Sequence, residues 1–179
     1  MEKKYELLIV DDVSENIKVA ISILKNDNYN FSYALNGKEA IEVLKTKRFD
    51  LILLDVMMPE IDGFALCKII KNSPSIKDTP IIFLTAKIDI ASIAEGFNIG
   101  GVDYITKPFH PVELKSRIAN HLDLYQYKKD LKRANKKLKI QMQDNVVNTL
   151  LFEKNLDPRL LEIVNNNRKV LEQILKEAQ

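Results

Sequence analysis

Three aspartates, a threonine and a lysine from distant parts of the chain carry the chemistry this sequence can do. Asp11 and Asp12 stand in "VDDV", Asp55 closes "LILLD", Thr85 closes "IIFLT", and Lys107 stands in "TKPF". Carboxylates converging on one crevice repel: a like-charge pair at ~4 Å costs about 4 kcal/mol at an effective dielectric near 20. A proton or a cation must compensate. All-oxygen ligands favour a hard divalent ion, and Mg²⁺ suits a small site that keeps several waters. Because Mg²⁺ also binds phosphate oxygens, Asp55 becomes a candidate nucleophile toward phosphorus, forming an acyl phosphate. A phosphoryl group in transfer spreads charge over its equatorial oxygens and needs cationic and hydrogen-bonding partners. Besides the metal, Lys107 and the Thr85 hydroxyl would supply them. Pro108 restricts Lys107 to extended geometry, which fixes the lysine at one place.

Each residue also has a plain structural reading. Asp12 would cap a helix, Lys107–Pro108 would be a turn, and Thr85 would satisfy local backbone. Taken together, however, four separate strand ends carry what one mechanism needs.

The elements that must position them alternate. Residues 5–10, "YELLIV", form an apolar run, and Ile17, Ala20, Ile21 and Leu24 follow at helical spacing. A short strand is predicted over 30–35, then a helix marked by Ala40, Ile41 and Leu44. "DLILLD" at 50–55 and "PIIFLT" at 80–85 read as strands buried on both faces. Between them Leu66, Ile69 and Ile70 mark a third helix. A helix over 88–99, a strand over 102–106 and a helix starting near Pro111 complete the pattern. Five strands alternating with five helices predict an α/β fold with a doubly wound parallel sheet. In such sheets ligands sit beyond the carboxyl ends of the strands, where the polar residues fall. An order of 2-1-3-4-5 would set the first and third strands side by side at the centre, although alternation alone does not select it.

The segments "VDDVSEN", "LILLDVMMPEIDGF", "IIFLTA" and "GVDYITKPF" resemble the receiver domain of two-component response regulators over residues 4–125. The resemblance implies a flavodoxin-like sheet in the order 2-1-3-4-5. It also implies that Asp55 accepts phosphate from a sensor histidine kinase or a histidine phosphotransfer protein. Asp11, Asp12, Asp55 and the backbone carbonyl of Met57 would hold Mg²⁺, Asp11 through water. Thr85 and Lys107 would bind the phosphoryl group, with a cis bond before Pro108. Tyr104 would be the switch aromatic, turning inward as Thr85 moves toward phosphate. Activity would be limited to Mg²⁺-dependent self-phosphorylation and autodephosphorylation, so the chain is not expected to be an enzyme otherwise. A haloacid-dehalogenase-type phosphatase would need a second aspartate two residues after the first, where Met57 stands.

All five glycines lie at or before Gly101, and only Pro158 follows Pro111 among the prolines, so the last part of the chain should be helical. The predicted division is a receiver over 1–125 and a helical extension over 126–179, a coiled coil to about 156 and a short helix over 158–178. Leu124, Leu131 and Leu138 recur every seven residues, with Tyr127 and Ala134 at the other seam position and Asn145 and Phe152 continuing the series. Those stripes need a partner: either a parallel homodimer, the expected one, or a hairpin within the chain. Residues 128–139 hold seven basic residues and one acid. A solvated coiled-coil exterior is expected there rather than nucleic-acid contact. Cys67, the single cysteine, lies in an apolar helical run, and no apolar run reaches membrane-spanning length, so a cytoplasmic protein is predicted. His110 and His121 lack a phosphoacceptor setting, and no nucleotide-binding glycine loop follows. The expectation is a response regulator of a phosphorelay. The alternatives are a receiver-plus-linker piece of a longer regulator whose output enzyme is missing, or a DNA-binding regulator using the basic helix 128–139.

Overall fold

The computed structural model describes residues 4–25, 28–86 and 90–153. The elements run β1 (Tyr5–Val10), α1 (Ser14–Leu24), β2 (Tyr29–Ala34), α2 (Gly37–Thr46), β3 (Leu51–Asp55), α3 (Gly63–Asn72), β4 (Ile81–Thr85), α4 (Ile90–Asn98), β5 (Asp103–Thr106) and α5 (Pro111–Glu153). The strands form one five-stranded sheet in the order β2-β1-β3-β4-β5, and every pairing is parallel. The expected fold class and strand order are therefore those observed. β2 starts and ends one residue before the predicted strand, and α4 covers the interior of the predicted 88–99 helix.

The strands read as continuous apolar runs because both faces of the sheet are covered. Alternate residues serve opposite layers. Leu8, Val10, Ile52, Leu54, Ile81 and Phe83 join one core cluster with Ala40, Leu66 and Ile70 of α2 and α3. Leu7, Ile9, Leu51, Leu53, Ile82 and Leu84 join the other, with Ile17, Ala20 and Leu24 of α1 and Leu114, Ile118 and Leu122 of α5. Fully burying one such leucine or isoleucine contributes about 1.5–3 kcal/mol. Every residue of β3 and β4 is buried, so packing on both faces fixes where their carboxyl ends emerge.

Caps set where two helices start. The Asn36 side chain accepts from Glu39 N at 2.8 Å while Glu39 Oε2 accepts from Leu35 N at 2.7 Å, a reciprocal arrangement at the start of α2. Asp62 caps α3 by accepting from Ala65 N at 2.7 Å.

The chain divides into two compact units, Met1–Lys128 and Lys129–Gln179. In the second, residues 131–142 of α5 are exposed along their whole length. The predicted helix over 158–178, and the coiled coil beyond residue 153, lie outside the described residues.

Candidate functional site

Register brings the acidic residues together. Val10 pairs with Leu54 across β1 and β3, so Asp11, one step further, stands beside Asp55. Asp55 in turn pairs with Leu84, and Thr85 pairs with Thr106, which puts Lys107 just past the last pair. The backbone N–H of Lys107 donates to the Thr85 carbonyl at 2.8 Å, fixing the chain at this point, and the Lys107–Pro108 bond is cis.

Side-chain oxygens of Asp11, Asp12 and Asp55 lie within 4.8 Å of one another. Asp11 is fully buried, Asp55 is 3% exposed, and Asp12 faces solvent. The Lys107 ammonium bridges the two buried carboxylates, 2.7 Å from Asp11 Oδ2 and 2.9 Å from Asp55 Oδ1. The contact to Asp11 Oδ2 is a close ion pair without an aligned hydrogen bond, so that buried oxygen still lacks a donor. The other Asp11 oxygen accepts from Val13 N at 3.0 Å and from Asn16 Nδ2 at 2.9 Å, so its orientation is set.

One ammonium does not neutralise three carboxylates. Burial pushes the Asp55 carboxyl above its ordinary value and Asp11 adds to this; the Lys107 ammonium and the Met57 backbone N–H oppose without cancelling it. The donor set is therefore all oxygen, under-compensated in charge, and open to water on the Asp12 side. Those properties fit a small hard divalent cation.

The capping reading of Asp12 does not hold. Val13 is the N-cap of α1, and no side chain caps that end. Thr85 is 7% exposed at the end of β4. Met57 is 73% exposed, and its backbone N–H donates to Asp55. Tyr104 is 9% exposed, stacked on Phe83 with centroids 5.3 Å apart and edge-on to Phe97 at 5.4 Å. Its hydroxyl donates to the Ile93 carbonyl at 3.2 Å, so the ring occupies an inward position.

Several supporting residues escaped the sequence reading. A Cβ at Gly63 would overlap the Asp55 carbonyl, so the start of α3 packs directly on the end of β3. Gly96 leaves the space that the Tyr104 hydroxyl fills. His121, expected as a packing or solvent residue of the last helix, lies with Nε2 3.0 Å from Asp103 Oδ2. Arg117 Nη1 meets both oxygens of the same carboxylate, at 2.7 and 2.9 Å, and Arg117 Nε donates to Glu113 at 2.9 Å. The spacing of Glu113, Arg117 and His121 at i, i+4 and i+8 was the available signal.

A response regulator receiver domain profile matches residues 7–119. The chain belongs to this family. YvrH, a transcriptional regulatory protein of Bacillus subtilis (strain 168), is 44% identical over 117 residues, 65% of this chain and 48% of YvrH. The ycf27 protein of Cyanidium caldarium is 36% identical over 169 residues, 94% of this chain and 64% of that protein. The high-resolution structure of the chemotaxis response regulator CheY4 of Vibrio cholerae aligns with this receiver at a TM-score of 0.63 and 29% identity, covering 66% of this chain and 99% of that one. The chain thus spans between about half and two thirds of the length of the two curated relatives. Among the described residues no helix is long and apolar enough to cross a membrane.

Proposed function

We propose that this receiver is a phosphorelay switch in which Asp55 accepts a phosphoryl group from a phosphohistidine of a sensor kinase or a histidine phosphotransfer protein. A carboxylate oxygen of Asp55 attacks phosphorus, the donor's P–N bond breaks, and its electron pair stays on the imidazole nitrogen. The product is an acyl phosphate. The observation that carries this reading is the Lys107 ammonium 2.9 Å from a buried aspartate at the carboxyl end of a central strand, with two further carboxylates beside it.

Asp11, Asp12, Asp55 and the Met57 carbonyl would hold Mg²⁺, which when bound supplies charge compensation for the phosphoryl oxygens. Lys107 trades its carboxylate contact for a phosphoryl oxygen, and its fixed backbone limits the entropy lost in doing so. The Thr85 hydroxyl takes a second oxygen. Tyr104 serves as the readout: its inward ring and hydroxyl bond to Ile93 tie α4 to the strand that precedes Lys107. The two states of such a switch differ by about a few kcal/mol, within reach of one phosphoryl group. On this reading the chain transfers phosphate only to and from itself, works in the cytoplasm, and self-associates through α5 as a second partnership.

The test is direct. With Mg²⁺ and a small phosphodonor, intact-mass measurement should add one phosphoryl group to the wild type and none to Asp55→Asn. Equal labelling of both proteins would end the proposal.

A second reading takes the chain as the receiver and linker of a longer regulator, favoured by its covering 48% of YvrH. The name of that relative also keeps a DNA partner in view, through the basic residues 128–139. Absence of a mobility shift at low salt would eliminate direct DNA contact by this segment.

A further inference from the structure

α5 carries a row of large apolar side chains that the receiver core does not use. Leu114, Ile118 and Leu122 are buried, four residues apart. Beyond them Leu124, Tyr127, Leu131 and Leu138 are 62%, 73%, 62% and 56% exposed. Their spacing alternates three and four residues, with Ala134 filling the remaining place, which is the a/d pattern of a coiled-coil seam. An exposed apolar row on a helix that runs to Glu153 lowers its free energy only by finding a second surface.

We infer that the second surface is the same face of another copy, joined in parallel and in register, with Asp123 of each chain paired to Lys128 of the other. Three observations choose this occupant. With Leu124, Leu131 and Leu138 at a, Asp123 falls at g and Lys128 at the following e, the two positions that meet across a parallel seam; both are exposed. In an antiparallel seam e faces e, where none of Lys128, Asn135 and Met142 is acidic, and g faces g, where Asp123 and Asp130 share one sign and only Lys137 opposes them; Lys128 would gain no opposite charge. The a series then passes to Asn145, a residue that at this position favours two strands in one register. Of the remaining cations, Lys129, Lys132, Arg133, Lys136 and Lys139 fall at b, c and f, on the outside, where two copies bring little like charge together; Lys137 falls at g, opposite the uncharged Met142 at e.

The inference does not depend on the chemistry of Asp55. Sedimentation equilibrium on the full chain across the micromolar range should give a dimer. Leu131→Glu should lower the association constant on the order of a hundredfold while leaving phosphoryl gain unchanged. Asp123→Lys and Lys128→Asp should each lower it by roughly severalfold, and the double exchange should restore it. Orientation is read separately. Leu124→Cys and Leu138→Cys proteins, each alone under mild oxidation, should form cross-linked dimers. Cys67 does not compete, being buried with its thiol pushed up to about 11. A wild-type mass that stays monomeric, as a hairpin within the chain requires, would overturn the inference. So would a dimer that survives Leu131→Glu, or cross-linking only when the two cysteine variants are mixed.

Discussion

The four-residue strand β5 joins two charged clusters of opposite character. At its start, Asp103 receives both Arg117 contacts, the His121 ring and the backbone N–H of Tyr104. Burial alone would push the Asp103 carboxyl up, but Arg117 and the other donors outweigh it and hold the carboxyl below its ordinary value. Just past the end of the same strand, Lys107 serves two buried carboxylates and leaves Asp55 above its ordinary value. One cluster satisfies its charge and gains stability from it. The other leaves charge unmet, at a cost to stability, and that is the condition a cation or a phosphoryl group can relieve.

The comparison breaks most readily through metal. Asp12→Asn removes one oxygen anion from the under-compensated cluster and should weaken Mg²⁺ binding by about tenfold or more, measured by calorimetry. Asp103→Asn, at the satisfied cluster, should leave Mg²⁺ affinity within twofold. A similar loss in both variants would mean that net charge, rather than the pocket, draws the ion.

Stability should respond with opposite signs. Without metal at neutral pH, Asp55→Asn relieves repulsion and should raise the midpoint of thermal unfolding, because Lys107 keeps Asp11 as its partner. Asp103→Asn removes the charge from a carboxylate whose two oxygens share Arg117 Nη1 and should cost about 1 kcal/mol, discounted for partial exposure. Denaturant unfolding of both variants checks the pair, and destabilisation in both would remove the contrast. Saturating Mg²⁺ should narrow the first difference, since a ligand that binds only the folded state stabilises the wild type.

How far these clusters could be read from sequence follows from what holds each one. The pocket was legible because it is built from strand ends, and buried parallel strands announce themselves as apolar runs that stop at Asp11, Asp55 and Thr85. The sheet order followed from the resemblance, since alternation alone fits more than one winding. Asp12 was read as a ligand against a cap alternative because both uses place an aspartate before a helix; only coordinates show Val13 in the cap position. The Asp103 cluster was missed because it joins the start of a strand to a helix beginning eight residues later, a contact with no local periodic signature apart from the Glu113, Arg117, His121 row. Gly63 and Gly96 were opaque for a related reason. The need for a missing side chain appears only when the residue it would strike, Asp55 or Tyr104, is known to lie there.

The finest test of the contrast is its pH dependence. Asp55 has a folded value above the ordinary 3.8, so its folded form holds a proton that the unfolded chain has released. Metal-free stability should therefore fall as pH rises from about that ordinary value through the raised one, and Asp55→Asn should show no such fall. Asp103 has a folded value below 3.8, so its contribution is present above the ordinary value and is lost as pH falls through the depressed one. The wild type should lose its advantage over Asp103→Asn only on the acid side. Both effects should be about tenths of a kcal/mol to one, because water screens part of each cluster. Folding free energies of the wild type and the two variants, taken from pH 3 to 7 at constant ionic strength, would show the two windows on opposite sides of the ordinary value if the clusters differ as described. Parallel curves for the two variants would mean that the ends of β5 are electrostatically alike.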